Sequence, residues 1–464
     1  MGYLRFGTRG WRARVDHGFD EASVVRIAAA LGAVWASRHE GSTILVGYDT
    51  RRDSQSLALV AGMVIAAHGM RVVVSQEACP TPALAWAASR DRSCVGAVMV
   101  TAGDAPYEYG GILVRQGDGG PMAAAFAAAV DRRIAREPTS ERSSVESAQL
   151  LATYVDALAH QADTGLIGGR GLGIVVDPMY GAGSRWVADL LRRVGCEVTA
   201  IHDEPVPDFR GLHPDAREPW VDECEQAVLG HHADLGLVLD GDCSRCALID
   251  ASGSMLSPHD LAPLVLDHLV GQRGRTGRVV ATVSSSARIG RQAQRLGCGF
   301  TMVPVGFESV YRELQEGDVI LATDERGGIC VPDHVPERDA PLGSLMLLEL
   351  LAGTGTRLDE LVLDCEGRIG AMEYVSRSLS LDPVGALRLR NLLPGLNPPV
   401  VAGERPVSVS HADGLRIEMP DGSWVLLRAS RSSAGACACA EAPDARRADA
   451  LLAWACALAK EGRA

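Results

Sequence analysis

At 464 residues the chain is too long for one ordinary hydrophobic core and calls for several domains. Hydrophobic residues at 47% and charged residues at 22% exclude general disorder, and a formal net charge of −13 weighs against nucleic acid or an anionic membrane surface as partner. The opening MGYLRFGTRGWRARVD lacks the apolar stretch of a signal peptide and no later segment reaches membrane-spanning length, so a cytoplasmic protein is expected.

The pattern predicts a helix near Glu21–His39, the strand STILVGYD, a helix near Leu57–His68 and the strand MRVVVS. Alternation of this kind gives parallel βαβ units. VGAVMVTA adds a buried strand that ends in a polar, glycine-containing turn, the place where open α/β sheets hold ligands. The cadence restarts at GLGIVVDPMYGAGS, with a helix over Trp186–Val194 and the strand CEVTAIHD. A third pass runs through GRVVATVSSS, a helix over Arg288–Leu296, GFTMVPVGF, a helix to Glu316 and DVILATDERGG. After about Gly370 the strands become shorter and more polar, the Asp-Gly pair of MPDGSW marks a hairpin, and an alanine-rich helix closes a smaller α+β unit.

Twelve cysteines, mostly single within apolar segments, suit reduced and buried thiols. Cys243-Ser-Arg-Cys246 has CxxC spacing but no second ligand pair, and is read as structural.

The glycine-containing turns carry a resemblance. FGTRGWR, VGYDTRRDS, PTPALAWA, VVDPMYGAG, IHDEPVPDF, LDGDCSR, PVGFESV, VPERDAPLG and DGSWVLLRAS occur in the order found in the α-D-phosphohexomutase family, and the chain resembles its bacterial phosphoglucomutases and phosphomannomutases. The resemblance implies four domains around a central cleft: three similar α/β domains with mixed sheets, at 1–147, 148–253 and 254–368, and a smaller α+β domain at 369–464. It also implies phosphoryl transfer between the C1 and C6 oxygens of a hexose phosphate through a phosphoserine, with Mg2+ neutralising the phosphate.

Against that pattern, several positions differ. The catalytic turn of the family reads Thr-Ala-Ser-His-Asn-Pro, whereas this chain has Thr101, Ala102, Gly103, Asp104, Ala105 and Pro106. Gly103, at the family's serine position, has no atom to accept phosphate; Asp104 or Thr101 would have to take over. The metal turn keeps Asp240 and Asp242 and has Ser244 in place of a third carboxylate, which suits weak Mg2+ binding or none; the plainer alternative is inherited turn geometry. In the sugar turn, Glu325 stands for the glutamate that contacts hydroxyls, with Arg326 intruding beside it. Glu308 replaces a lysine after PVGF, exchanging attraction for repulsion near a phosphate. The phosphate clamp offers Arg428, Ser430, Arg431 and Ser432 as anion donors. Arg12, Asp49, Arg51, Arg245, Glu337, Arg338 and Asp339 match the family and read as buried charge pairs at domain interfaces, with Arg12 and Arg245 also near the catalytic turn. His202 and His213 are given no role beyond structure.

Two readings compete. One is a catalytically inactive sugar-phosphate-binding, regulatory or partner protein, paired with an active paralogue or with itself. The other is an active or residual phosphoglucomutase/phosphomannomutase with a rebuilt centre. A third, weaker option uses Asp104, Asp240, Asp242 and Glu308 as one acidic cluster for a cation or for acid–base work.

Overall fold

The structure, a computed structural model, describes residues 4–135, 137–430 and 434–461. Its first sheet has six strands in the order Trp11–Arg14, Tyr109–Gln116, Cys94–Val100, Thr43–Tyr48, Arg71–Ser75 and Glu146–Ala148. The last four run parallel and the first two pair antiparallel, so the sheet is mixed. Every residue of Thr43–Tyr48 is buried, as an apolar strand covered on both faces requires. The preceding helix runs Glu21–His39, and Asp20 caps it by accepting the Ser23 amide at 2.8 Å.

The second and third sheets repeat this plan with four strands each. One has the order Cys246–Asp250, Leu235–Leu239, Gly173–Asp177 and Glu197–Ala200; the other has Gly299–Val303, Arg278–Thr282, Val319–Thr323 and Ile329–Cys330. In each, parallel strands carry one antiparallel strand that returns from a hairpin. The fourth sheet is wholly antiparallel, in the order Glu373–Ser380, Gly435–Ala442, Trp424–Ala429, Leu415–Glu418 and Ser408–Ser410, with the helix Ala445–Glu461 against it. The predicted Asp-Gly turn is there: Asp421 accepts the Ser423 amide at 2.9 Å between the two strands.

One apolar cluster runs through the first three units, from Leu45 and Met99 through Tyr154 and Leu237 to Leu347, which fixes them against one another. The helix Ala340–Thr354 lies within it, capped by Asp339, whose Oδ1 accepts the Leu342 amide at 2.9 Å and the Tyr154 hydroxyl at 2.8 Å. The last unit has its own core and touches the third mainly through Val283, Trp424, Leu426 and Cys439.

The strand expected over CEVTAIHD stops at Ala200. His202 leaves the sheet with φ 48° because its ring is held between Asp177 at 2.9 Å and Glu223 at 3.0 Å. All twelve cysteines are free thiols, Cys243 and Cys246 among the buried ones. Among the described residues no helix is long and apolar enough to cross a membrane.

Candidate functional site

In each of the three α/β units the motif-bearing turn joins the last buried parallel strand to its antiparallel return. Residues 101–108 follow Cys94–Val100, residues 240–245 follow Leu235–Leu239, and residues 324–328 follow Val319–Thr323. Equivalent connectivity brings the three turns to one place, and their charged side chains meet there.

Arg51 shapes the first turn from beneath. Its guanidinium donates to the carbonyls of Gly103 at 2.7 Å, Ala105 at 2.6 Å, Pro106 at 2.8 Å and Tyr109 at 3.0 Å, while Asp49 receives its Nε at 3.1 Å. Thr101 is wholly buried; its hydroxyl donates to Asp49 at 2.6 Å and accepts the Gly103 amide at 2.9 Å. Gly103 has φ 58°, a region that disfavours residues with a Cβ. A Cβ built on it would stand 3.0 Å from Arg12 Nη2 and 3.6 Å from Asp242 Oδ2, so the bare backbone faces both a cation and the metal turn.

Asp104 is the centre of the charge arrangement. Arg12 Nη1 lies 3.3 Å from its carboxylate and Arg245 Nη1 3.8 Å, and Arg326 donates to it directly. Burial opposes its ionisation, but Arg326, Arg245 and Arg12 outweigh that and hold the carboxyl well below the usual carboxylate range. Arg326 also donates to Asp215, and Arg245 pairs with Asp324 at 2.8 Å. Arg326 lines the same chamber as Glu325, as the sequence pattern suggested, while its guanidinium makes its ion pairs with carboxylates of the other two units. It reaches across to the partly buried Asp104 on the first turn and to the buried Asp215, which lies between Phe209–Gly211 and the helix Asp222–His231 of the second unit, while Glu325 accepts hydroxyls from Thr282 at 3.1 Å and Ser284 at 3.2 Å.

Asp240 and Asp242 are both buried. Asp240 accepts the Arg245 amide at 3.1 Å and the Ser244 hydroxyl at 3.0 Å, so the residue in the third carboxylate's place is itself bound to the first. Thr81 donates its hydroxyl to Asp242 Oδ2, whereas Asp242 Oδ1 is buried with no hydrogen-bond partner. Burial and the charge of Asp242 push Asp240 up to about 8. An orphaned carboxylate oxygen beside a second, incompletely neutralised carboxylate is a donor set of the kind Mg2+ prefers, and these two residues fit a divalent cation.

The other candidates lie apart. Glu308 starts the helix Phe307–Leu314 and faces Arg312 at 3.7 Å. It does not close an acidic cluster with Asp104, Asp240 and Asp242: among the described residues the carboxylates that converge in a group of three are Glu218, Asp222 and Glu225, because the cleft carboxylates are interleaved with arginines. Arg428 is tied to Asp413 at 2.8 Å, and the Ser430 carbonyl accepts from Arg390 at 2.7 Å. Arg431 and Ser432 lie outside the described residues. Of the expected charge pairs, Glu337 meets Arg115 of the first unit at 2.5 Å, whereas Arg338 pairs within its own unit, with Glu337 at 3.2 Å and with Asp324 at 3.3 Å, and Arg51 pairs with Asp49 of its own unit at 3.1 Å.

Sequence reasoning gave His213 a structural place only and missed Asp215 and Thr81. His213 donates its Nε2–H to the Asp104 carbonyl at 2.8 Å, Asp215 receives Arg326, and Thr81 donates to Asp242. Thr81 sat inside the motif PTPALAWA, but nothing local marked His213 or Asp215. A side chamber of about 170 Å³ opens next to the sugar turn, lined by Arg245, Leu248, Met255, His259, Glu325 and Tyr374.

Three like α/β domains whose corresponding hairpin turns converge on one charged cleft, with an antiparallel domain beside them, define the phosphohexomutase class of fold. The chain belongs to the phosphoglucomutase/phosphomannomutase family: the profiles of α/β/α domains I, II and III match residues 4–141, 152–253 and 257–367. A phosphoglucomutase/phosphomannomutase of Thermococcus kodakarensis is 28% identical over 442 residues, 93% of this chain and 92% of that protein. A solved structure described as a phosphomannomutase from Thermus thermophilus superposes with a TM-score of 0.86 at 29% identity, covering 98% of this chain and 99% of the other. The Aspergillus fumigatus N-acetylphosphoglucosamine mutase in complex with GlcNAc-6P and magnesium shares the fold, with a TM-score of 0.64 at 13% identity over 99% and 96% of the two chains.

Proposed function

We propose that the protein binds a hexose phosphate in this cleft without isomerising it, and serves as a regulatory or partner protein. One observation carries the reading: residue 103 has no side chain, and the oxygens beside it are engaged. The Thr101 hydroxyl is buried between Asp49 and the Gly103 amide, and the Asp104 carboxylate is held by arginines. Phosphoryl relay needs an oxygen nucleophile that is free when the substrate arrives.

Asp240 and Asp242 would hold Mg2+, whose chemistry is to neutralise phosphate oxygens. On this reading Arg12 and Arg245 position Asp104, Glu325 would face the sugar hydroxyls, and Arg428 and Ser430 would receive the far phosphate, a role the sequence pattern also gives to Arg431 and Ser432. We place the domain limits at 1–147, 148–253, 254–368 and 369–464. The net charge of −13 weighs against nucleic acid and anionic membrane surfaces as partners; the reading takes the protein as cytoplasmic, with an active paralogue or a second copy as its protein partner.

A second reading, residual or full phosphoglucomutase/phosphomannomutase activity, is favoured by the names of the relatives, which are mutases over nearly their whole length. Incubation with glucose 1-phosphate, Mg2+ and glucose 1,6-bisphosphate decides between them. No glucose 6-phosphate is expected. Sustained turnover overturns the first reading and establishes the second.

A further inference from the structure

The three arginines around Asp104 come from three different domains: Arg12 from the strand Trp11–Arg14, Arg245 from the metal turn and Arg326 from the sugar turn. The same Arg12 guanidinium that lies 3.3 Å from the Asp104 carboxylate would lie 3.0 Å from a Cβ at residue 103. Any phosphoryl group at that end of the cleft would therefore meet a cation that a protein carboxylate already shares. The other two cations are engaged twice over, Arg326 by Asp104 and Asp215, and Arg245 by Asp104 and Asp324. The adjacent turn brings a further carboxylate, Asp242, whose Oδ2 lies 3.6 Å from the residue 103 Cβ position.

We infer that Asp104 is a resident anion that fills the arginine cluster at the residue 103 end of the cleft, so that the cleft accepts a hexose monophosphate and rejects a hexose bisphosphate. The inference rests on the hexose-phosphate reading and names the ligand class within it. Its physical basis is charge. A phosphodianion placed among cations already neutralised by carboxylates gains little attraction, is repelled by the nearest of them, and loses its hydration. A sugar whose single phosphate points away from residue 103 meets no such opposition.

The test is calorimetric titration of the full chain, without divalent cation, against inorganic phosphate, glucose 6-phosphate and glucose 1,6-bisphosphate. Wild-type protein is expected to bind the monophosphate at least about tenfold more tightly than the bisphosphate. Asp104→Asn is expected to gain about tenfold or more in affinity for inorganic phosphate and for the bisphosphate, while Asp104→Glu, which keeps the charge, gains neither. Equal wild-type affinity for the two sugar phosphates overturns the inference, whether or not the variants fold. So does an Asp104→Asn protein, or Asp104→Ser if the former does not fold, that gains no phosphate affinity. If neither wild type nor variant binds any sugar phosphate but the variant still gains inorganic phosphate, the hexose-phosphate reading fails and the assignment of Asp104 as resident anion stands.

Discussion

Arg326 of the third domain donates a hydrogen bond to the carboxylate of Asp104 in the first, spanning 222 residues of sequence and the width of the cleft. The same guanidinium holds Asp215 of the second domain, so a single side chain ties three domains. Arg326→Gln is expected to destabilise the protein by about 1–2 kcal/mol: less than the loss from a fully buried pair, because the arginine is partly exposed, but more than a surface pair contributes. Urea denaturation of wild type, Arg326→Gln, Asp104→Asn and the double variant checks this. The double variant should lose less than the two single losses added together.

Arg51 offers a stronger case. The buried Arg51 satisfies the carbonyls of Gly103, Ala105, Pro106 and Tyr109 and the Asp49 carboxylate. Lysine cannot reproduce the planar fork that reaches several acceptors at once. Arg51→Lys is expected to cost about 3 kcal/mol, read as a lower denaturation midpoint, and to increase amide exchange over residues 103–109.

Restoring an oxygen at residue 103 tests the catalytic turn itself. Gly103→Ser is expected to lower stability by about 1–2 kcal/mol, since φ there is 58° and a Cβ sits against Arg12. With Asp104 still beside it, the serine should show no phosphoryl adduct in intact-mass measurements after incubation with glucose 1,6-bisphosphate and Mg2+. Gly103→Ser combined with Asp104→Asn should show one.

Asp339 gives a pH dependence. Burial pushes its carboxyl up to about 7 although the Leu342 amide and the Tyr154 hydroxyl both favour the ionised form. Because the folded pKa is raised above the unfolded value near 4, the stabilising contribution is complete below about pH 4 and is lost as pH rises through about 7. Asp339→Asn keeps a side-chain oxygen for the helix cap and removes the ionisation. It should flatten the fall in stability between about pH 4 and pH 7 that wild-type protein shows in denaturant titrations.

Much of the fold was legible in the sequence because strand burial, helix caps and turn glycines act locally. The helix Glu21–His39 and the strand stretch through Val98 and Val100 follow from runs of apolar residues, and the hairpin at Asp421 from its Asp-Gly pair. The motif order also located Gly103, Asp240, Asp242 and Glu325 in turns at strand ends, where the structure has them. The direction of Arg326 was not legible, since a guanidinium on a flexible stem pairs with whichever carboxylate the fold brings within reach. The contact of His213, which was given only a structural place, and the role of Asp215, which was overlooked, were hidden for the same cause: the partners of both lie more than one hundred residues away.

By itself the sequence determined that residue 103 carries no side-chain oxygen and that a carboxylate follows it, because the identity of a side chain needs no fold to be known. Only the tertiary structure decided what that carboxylate does. Three arginines from separate domains converge on it, and such convergence depends on how sheets built far apart in the chain pack around one apolar core.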